Sequence, residues 1–228
     1  MAKILKPLLL PYYLYKVEKI NRNRNWADAV QFAFTEFRRV IRPSQVPSEI
    51  ESLLRSLHAQ RPKYILEIGT KKGGTLFLFS RVAAEDAQIL SIDLPSGPFG
   101  GGYPGWKIPL YKSFALPKQK VHLVRGDSQN PATLQKVREI LNGKELDFLF
   151  IDGDHTYEGA KRDFEIYSPL VKKNGLVALH DIVDHPTRAD CEVNRLWTEL
   201  RPKYDYEEFV EDPNQGWAGI GVLKMHHG

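Results

Sequence analysis

The stretch Lys63-Tyr-Ile-Leu-Glu-Ile-Gly-Thr-Lys-Lys-Gly-Gly-Thr75, followed by Ile89-Leu-Ser-Ile-Asp93, constrains this chain more than any other. It reads as a buried strand, a glycine turn, a helix start and a second strand that ends on a carboxylate. Such a turn lets backbone approach a ligand laid across the carboxyl ends of a parallel sheet. The helix start offers free amides there, and an acid at the next strand end meets a ribose diol. The pattern predicts an adenosine-containing cofactor and an open α/β sheet to carry it.

The texture after Lys63 agrees. Short apolar runs at Tyr64–Ile68, Ile89–Leu94, Val121–Arg125, Leu146–Ile151 and Leu176–His180 alternate with amphipathic stretches at Thr75–Ala84, Ala132–Leu141, Tyr157–Val171 and Ala189–Leu200. Strict alternation predicts a doubly wound, mostly parallel sheet with helices on both faces. The tail departs from it: Tyr206–Val210 and Gly219–Lys224 flank the turn-rich Asp212-Pro-Asn-Gln-Gly216 and should pair as an antiparallel hairpin. Residues 1–60 carry no strand signal and are expected to form a helical extension, leaving residues 61–228 as the cofactor domain. In the extension, Trp26, Val30, Ala33, Phe37, Val40 and Ile41 share one face of a helix over Trp26–Ile41, and a second helix over Ser48–Gln60 takes Ser48 as its N-cap. With 228 residues, 42% of them hydrophobic, the chain is long enough to bury one substantial core.

Net charge is +4, a mild excess of 32 basic over 28 acidic side chains. The basic residues are dispersed except at Asn21-Arg-Asn-Arg-Asn25, which reads as a solvated turn, so no nucleic-acid partner is expected. Cys191 is the only cysteine, which leaves no intrachain disulfide or thiolate cage and favours a reducing, cytoplasmic setting. The Leu8-Leu9-Leu10 run is bracketed by Pro7 and Pro11 and is too short for a membrane span or a signal core. Residues 1–10 read instead as an arm that either lies on a surface or makes a homodimer contact. The glycine-rich segment Pro95–Trp106, with Phe99, Tyr103 and Trp106, is expected to close over a substrate.

Three kinds of nucleotide site compete for the glycine turn. A phosphate-cradling loop needs a lysine after its last glycine, and Gly73-Gly74-Thr75 lacks it. A dinucleotide fingerprint needs a middle glycine that Gly69-Thr-Lys-Lys-Gly-Gly74 does not have. Glu67, two residues before Gly69, would oppose a pyrophosphate but suits the ammonium of an amino-acid cofactor. S-adenosylmethionine has that ammonium beside a sulfonium, a ribose diol and an adenine. Asp93 can accept both ribose hydroxyls, and Asp127, assisted by Ser128, the adenine amino group. Amides around Thr70, Gly73 and Gly74, at the helix start with Thr75, can meet the methionine carboxylate. A single strand-end acid reads equally well as a helix N-cap. Glu67, Asp93, Asp127 and Asp152 at successive strand ends make a stronger signal together.

Leu66-Glu-Ile-Gly-Thr, Ser91-Ile-Asp-Leu, Arg125-Gly-Asp-Ser, Phe150-Ile-Asp-Gly-Asp-His-Thr-Tyr and Gly175-Leu-Val-Ala-Leu-His-Asp-Ile182 together resemble class I SAM-dependent methyltransferases. The resemblance covers about residues 60–225 and is nearest to small bacterial O-methyltransferases grouped with macrocin O-methyltransferase and cephalosporin-hydroxylase-like proteins. It implies a seven-stranded Rossmann-like sheet whose last strand is antiparallel, and methylation of a hydroxyl on a small molecule. In metal-dependent O-methyltransferases of the catechol and caffeoyl type, an acid ending strand four and a pair ending strand five hold a divalent cation such as Mg²⁺. The matching positions here are Asp152, His180 and Asp181. Where those enzymes carry a general-base lysine, this chain has His155, a residue type that titrates near neutrality. His180 stands in place of an acid, which disfavours Mg²⁺, so a metal-free site with His155 or His180 as base competes with the metal reading. A nicotinamide dehydrogenase, a nucleic-acid methyltransferase and a non-catalytic SAM-binding protein are the other classes. The missing glycine weighs against the first, and the lack of an Asn-Pro-Pro-Tyr-type motif or a Pro-Cys context against the second.

Overall fold

The computed structural model describes residues 7–23, 25–97 and 102–226. Alternation within the strands decides its architecture. In β1 (Tyr64–Ile68) Ile65 faces one side, and Leu66 and Ile68 the other; in β2 (Gln88–Asp93) Ile89 opposes Leu90 and Ile92. In β4 (Leu146–Ile151) Phe148 and Phe150 oppose Leu149 and Ile151 in the same way. Strands apolar on both sides need cover on both sides. One face carries α1 (Leu10–Asn21), α2 (Trp26–Phe34), α3 (Arg38–Ile41), α4 (Pro47–Gln60), α5 (Gly74–Val82) and α6 (Lys107–Lys112). The other carries α7 (Pro131–Leu141), α8 (Tyr157–Tyr167) and α9 (Val193–Leu200).

With β3 (Lys120–Arg125), β5 (Val171–His180), β6 (Asp205–Phe209) and β7 (Ile220–Lys224), the sheet has seven strands in the order β3-β2-β1-β4-β5-β7-β6. The four pairings up to β5 are parallel, while β7 runs antiparallel to both β5 and β6. The doubly wound sheet and its terminal hairpin are thus as expected from the sequence. Among the described residues no helix is long and apolar enough to cross a membrane.

Several boundaries differ from the sequence reading. The helix expected over Trp26–Ile41 breaks at residues 35–37, where the Thr35 hydroxyl donates to Gln31 O at 2.6 Å and Phe37 turns inward to stack on Phe32. Ser48 is not the N-cap of α4, because Pro47 already occupies the first turn and Val46 precedes it. The helix from Tyr157 ends at Tyr167, and Val171 opens β5 rather than closing the helix. Helix α9 starts at Val193, not Ala189, and α6 lies in a stretch assigned no element. The described part of the expected closing loop is packed, not free: Tyr103 is 2% exposed against Tyr111, and Trp106 lies against Tyr13. Phe99, residues 1–6 of the expected arm and Arg24 lie outside the described residues.

Two devices bind the N-terminal helices to the sheet. Glu49, buried on α4, accepts Gly219 N at 3.0 Å and Gln215 Nε2 at 2.7 Å, clasping the β6–β7 loop. At the start of α5, Gly74 lets the backbone between α3 and α4 seat directly on the helix: a Cβ there would lie 2.3 Å from both Ile41 O and Pro43 N. Neither neighbour can yield, being main chain. Gly74→Ala is therefore expected to lower stability by about 1–3 kcal/mol, read as a reduced urea midpoint at unchanged slope. An unaltered midpoint would mean that this backbone contact does not hold the extension in place.

Candidate active site

The carboxyl ends of the parallel strands meet at a crevice between β1 and β4, where the chain reverses its direction across the sheet. Gly69, at φ +98°, forms its floor, because a Cβ there would lie 2.0 Å from the Asp152 carbonyl oxygen. Of the cofactor residues expected from the sequence, Gly69, Asp93, Asp127, Ser128 and Asp152 line this cleft, as does His155. Lys71, Leu94 and Gln129 line it too, and the sequence reading did not place them there; Asp154 lines it as well.

Asp93 ends β2 with both oxygens occupied by backbone, accepting Lys71 N at 3.2 Å and Gly102 N at 3.1 Å. Burial raises its pKa, and these two amides partly offset that rise. Asp127 Oδ1 accepts Gln129 N at 2.9 Å, which makes it the hinge of a tight turn as well as a cleft wall. Ser128 turns its hydroxyl inward and donates to Asp163 Oδ1 at 2.7 Å. Asp163 is fully buried on α8 and pushed up to about 7 by that burial. In the sequence it reads as one more polar residue of an amphipathic helix, so nothing marked it.

The other expected cofactor residues sit behind the cleft. Glu67 is sealed in the core, accepting the Thr75 hydroxyl on Oε1 and the Ser91 hydroxyl on Oε2 at 2.6 Å. Burial pushes it up to about 8, so it is mainly protonated at neutral pH. Thr70 is buried against Ser91. Gly73 and Gly74 are packing glycines: a Cβ on Gly73 would strike the Tyr111 ring at 2.7 Å, and Gly74 meets the Ile41–Pro43 backbone.

Across the floor, the β4 and β5 ends supply a compact polar cluster. His155 Nδ1 lies 2.6 Å from Asp181 Oδ2, and both side chains are buried. The other carboxylate oxygen of Asp181 lies 3.2 Å from His180 Nδ1 and 3.1 Å from His185 Nε2. His180 Nδ1 is also 3.3 Å from Asp152 Oδ1, but neither of its carboxylate contacts has hydrogen-bond geometry. Burial opposes charge on His180, yet Asp181 and Asp152 hold its pKa well above the ordinary imidazole value. Burial likewise opposes charge on Asp181, and His180, His155 and His185 pull it below the ordinary carboxylate range. The ligand-type atoms of Asp152, His180 and Asp181 lie within 4.8 Å of one another. The structure thus brings together His155, His180, Asp181 and Asp152. It adds His185, from the loop that follows β5. Asp154 closes a tight turn just ahead of α8 by accepting Thr156 N at 2.9 Å, and Thr156 caps the helix by accepting Gly159 N at 3.1 Å.

A family model described as a methyltransferase domain matches residues 66–182, just over half of the chain. The uncharacterized protein y4gI of Sinorhizobium fredii is 30% identical over 128 residues, which is 55% of this chain but 14% of that protein. An uncharacterized protein of Acanthamoeba polyphaga mimivirus is 29% identical over 183 residues, 78% of this chain and 80% of its own length. Among solved structures, an O-methyltransferase from Bacillus cereus in complex with SAH aligns over 94% of this chain and 91% of that chain, with TM-score 0.61 and 18% identity. The O-methyltransferase TomG of Streptomyces achromogenes, solved with SAM, aligns over 87% and 90%, with TM-score 0.57 and 16% identity. At such identities these two share the fold.

The state of Glu67 has a measurable consequence. Its pKa rises from about 4.5 to about 8 on folding, so between those values the native state holds a proton that the unfolded chain has lost. Its contribution to stability is complete below pH ~4.5, declines as pH rises and is gone above pH ~8. Glu67→Gln should flatten the stability profile across that window. Urea midpoints measured for both proteins from pH 5 to pH 8.5 check this, and parallel profiles would show that Glu67 is already ionised in the core.

Proposed function

Since the chain belongs to the methyltransferase-domain family and has the fold of class I SAM-dependent methyltransferases, we propose that it transfers a methyl group from S-adenosylmethionine to a hydroxyl of a small molecule. The observation that carries this reading is the His155–Asp181 pair beside a cleft walled by Asp93 and Asp127. When bound, the cofactor supplies an electrophilic methyl on a sulfonium for in-line displacement. Residues 61–228 carry this chemistry, and residues 1–60 shape the acceptor side.

Asp93 meets the ribose diol. Each carboxylate oxygen has a second lone pair beyond the one that Lys71 N or Gly102 N uses, so binding need not break those contacts. Asp127 and Ser128 border the adenine end. Asp181 accepts the Nδ1 proton of His155, which fixes the ring and makes Nε2 its basic atom for taking the acceptor's proton. His180, with neither ring nitrogen hydrogen-bonded, stands with Asp152 and Asp181 as a donor set that fits a divalent cation. One nitrogen among two carboxylates suits a borderline metal better than Mg²⁺. Bound there, such a cation supplies Lewis-acid polarisation of the acceptor oxygen. Asp181 would then serve both halves of the site, one oxygen toward His155 and the other toward His180.

Calorimetry with S-adenosylmethionine tests the assignment directly, and no binding by the wild-type protein overturns it. Asp93→Ala should weaken binding about 10–100-fold, the loss of hydrogen bonds to a charged group. His155→Ala should keep binding within a few-fold while release of S-adenosylhomocysteine from a panel of hydroxyl acceptors drops about 10²–10⁴-fold.

A further inference from the structure

Asp152 is held from a direction that the alternating sheet does not supply. Gln45, 107 residues upstream and 4% exposed, donates from Nε2 to Asp152 Oδ2 at 2.7 Å. It lies in the connection between α3 and α4, outside any regular element. That connection is delivered by the close seating at Gly74, and Lys107 Nζ pins the Val40 carbonyl at 2.9 Å just ahead of it. The other end of the amide is not satisfied: Gln45 Oε1 is buried with no hydrogen-bond partner among the described residues.

A buried carbonyl without a donor is costly, so native proteins keep few of them, and each needs a reason. Glu67 supplies one. The acid that the sequence assigned to the cofactor ammonium is sealed in the core, with both oxygens taken by Thr75 and Ser91. An ammonium entering the cleft above Gly69 needs other acceptors. Asp152 lines the cleft, and Gln45 Oε1 lies one amide group away from it. Meanwhile the Nε2 bond commits Asp152 Oδ2 and leaves Oδ1 turned to His180.

We propose that Gln45 is a positioning and binding residue of the active site. It orients the Asp152 carboxylate through Nε2 and, through Oε1, accepts a hydrogen bond from the ammonium of the cofactor's amino-acid moiety. The inference rests on the S-adenosyl reading above and extends it to a residue of the N-terminal extension.

Two ligands separate this role from mere packing. S-adenosylhomocysteine carries the ammonium, and 5′-methylthioadenosine has the same nucleoside without the amino-acid part. Gln45→Met, nearly isosteric and unable to donate or accept strongly, should weaken S-adenosylhomocysteine about tenfold by calorimetry and leave methylthioadenosine within about twofold. In an Asp152→Ala background the same substitution should cost markedly less, because the two side chains act as a unit. If Gln45→Met does not fold, as judged by thermal melting, Gln45→Asn takes its place with the same expectation, since it draws the amide back by one methylene. Equal losses for both ligands, or additive effects in the double mutant, overturn the inference while the cofactor assignment stands. A wild-type protein that binds neither ligand overturns both.

Discussion

The approach of Gly69 to the Asp152 carbonyl is the contact on which the site depends. β1 and β4 are parallel neighbours with Ile68 opposite Ile151, and Asp152 N donates to Ile68 O at 2.9 Å. Gly69 N meanwhile donates to Ile92 O at 2.9 Å, so one turn is tied to the strands on both sides. Chain order then divides the labour. The chain leaves β1 toward β2 and β3 and returns to β4 on the opposite side. Asp93 and Asp127 therefore stand on one bank, and His155, His180 and Asp181 on the other. A side chain at position 69 would push these banks apart at the floor.

So many acids around one crevice would repel each other if all were ionised, and the fold settles this in two ways. Where no cation is near, burial keeps the proton on: Glu67 is pushed to about 8 and Asp163 to about 7. Where histidines are near, the acid stays charged, as Asp181 does among His180, His155 and His185. Negative charge is thereby drawn toward the β4 and β5 ends, where a sulfonium and an ammonium would lie. Glu67 ties the β1 end to Thr75 and Ser91 through their hydroxyls, and Asp163 ties α8 to the turn after β3 through that of Ser128.

The parts of this arrangement that were legible in the sequence share a physical cause. Strands buried on both faces must be continuous apolar runs, and strand ends at a ligand crevice must carry glycine or acid. Both features are local, so the five parallel strands and the cleft-lining strand-end residues Gly69, Asp93, Asp127 and Asp152 could be read directly. The misses are contacts without a local signature. Apolar spacing runs unbroken through Trp26–Ile41, so the turn at Thr35 that lets Phe37 fold inward left no trace. Pro109 and the glycines upstream masked α6. The sealing of Glu67 needed Thr75 and Ser91 to converge from two other elements, and the approach of Gln45 to Asp152 spans 107 residues.

His180 is the departure with the largest chemical consequence. A carboxylate at that position would put three acids within a few ångströms, an arrangement that burial makes costly without a tightly held cation. A histidine changes the balance. With a proton on its ring, it cancels one of the two carboxylate charges beside it, and its raised pKa follows from them. A metal ion would have to displace that proton, because only the neutral imidazole ligates. Acid at this position ties the integrity of the cluster to metal supply, whereas His180 lets Asp152 and Asp181 keep their places with a proton alone. The orientation of His155 through Asp181 is then preserved in either state, which decouples the proposed base from the proposed metal site that shares its carboxylate.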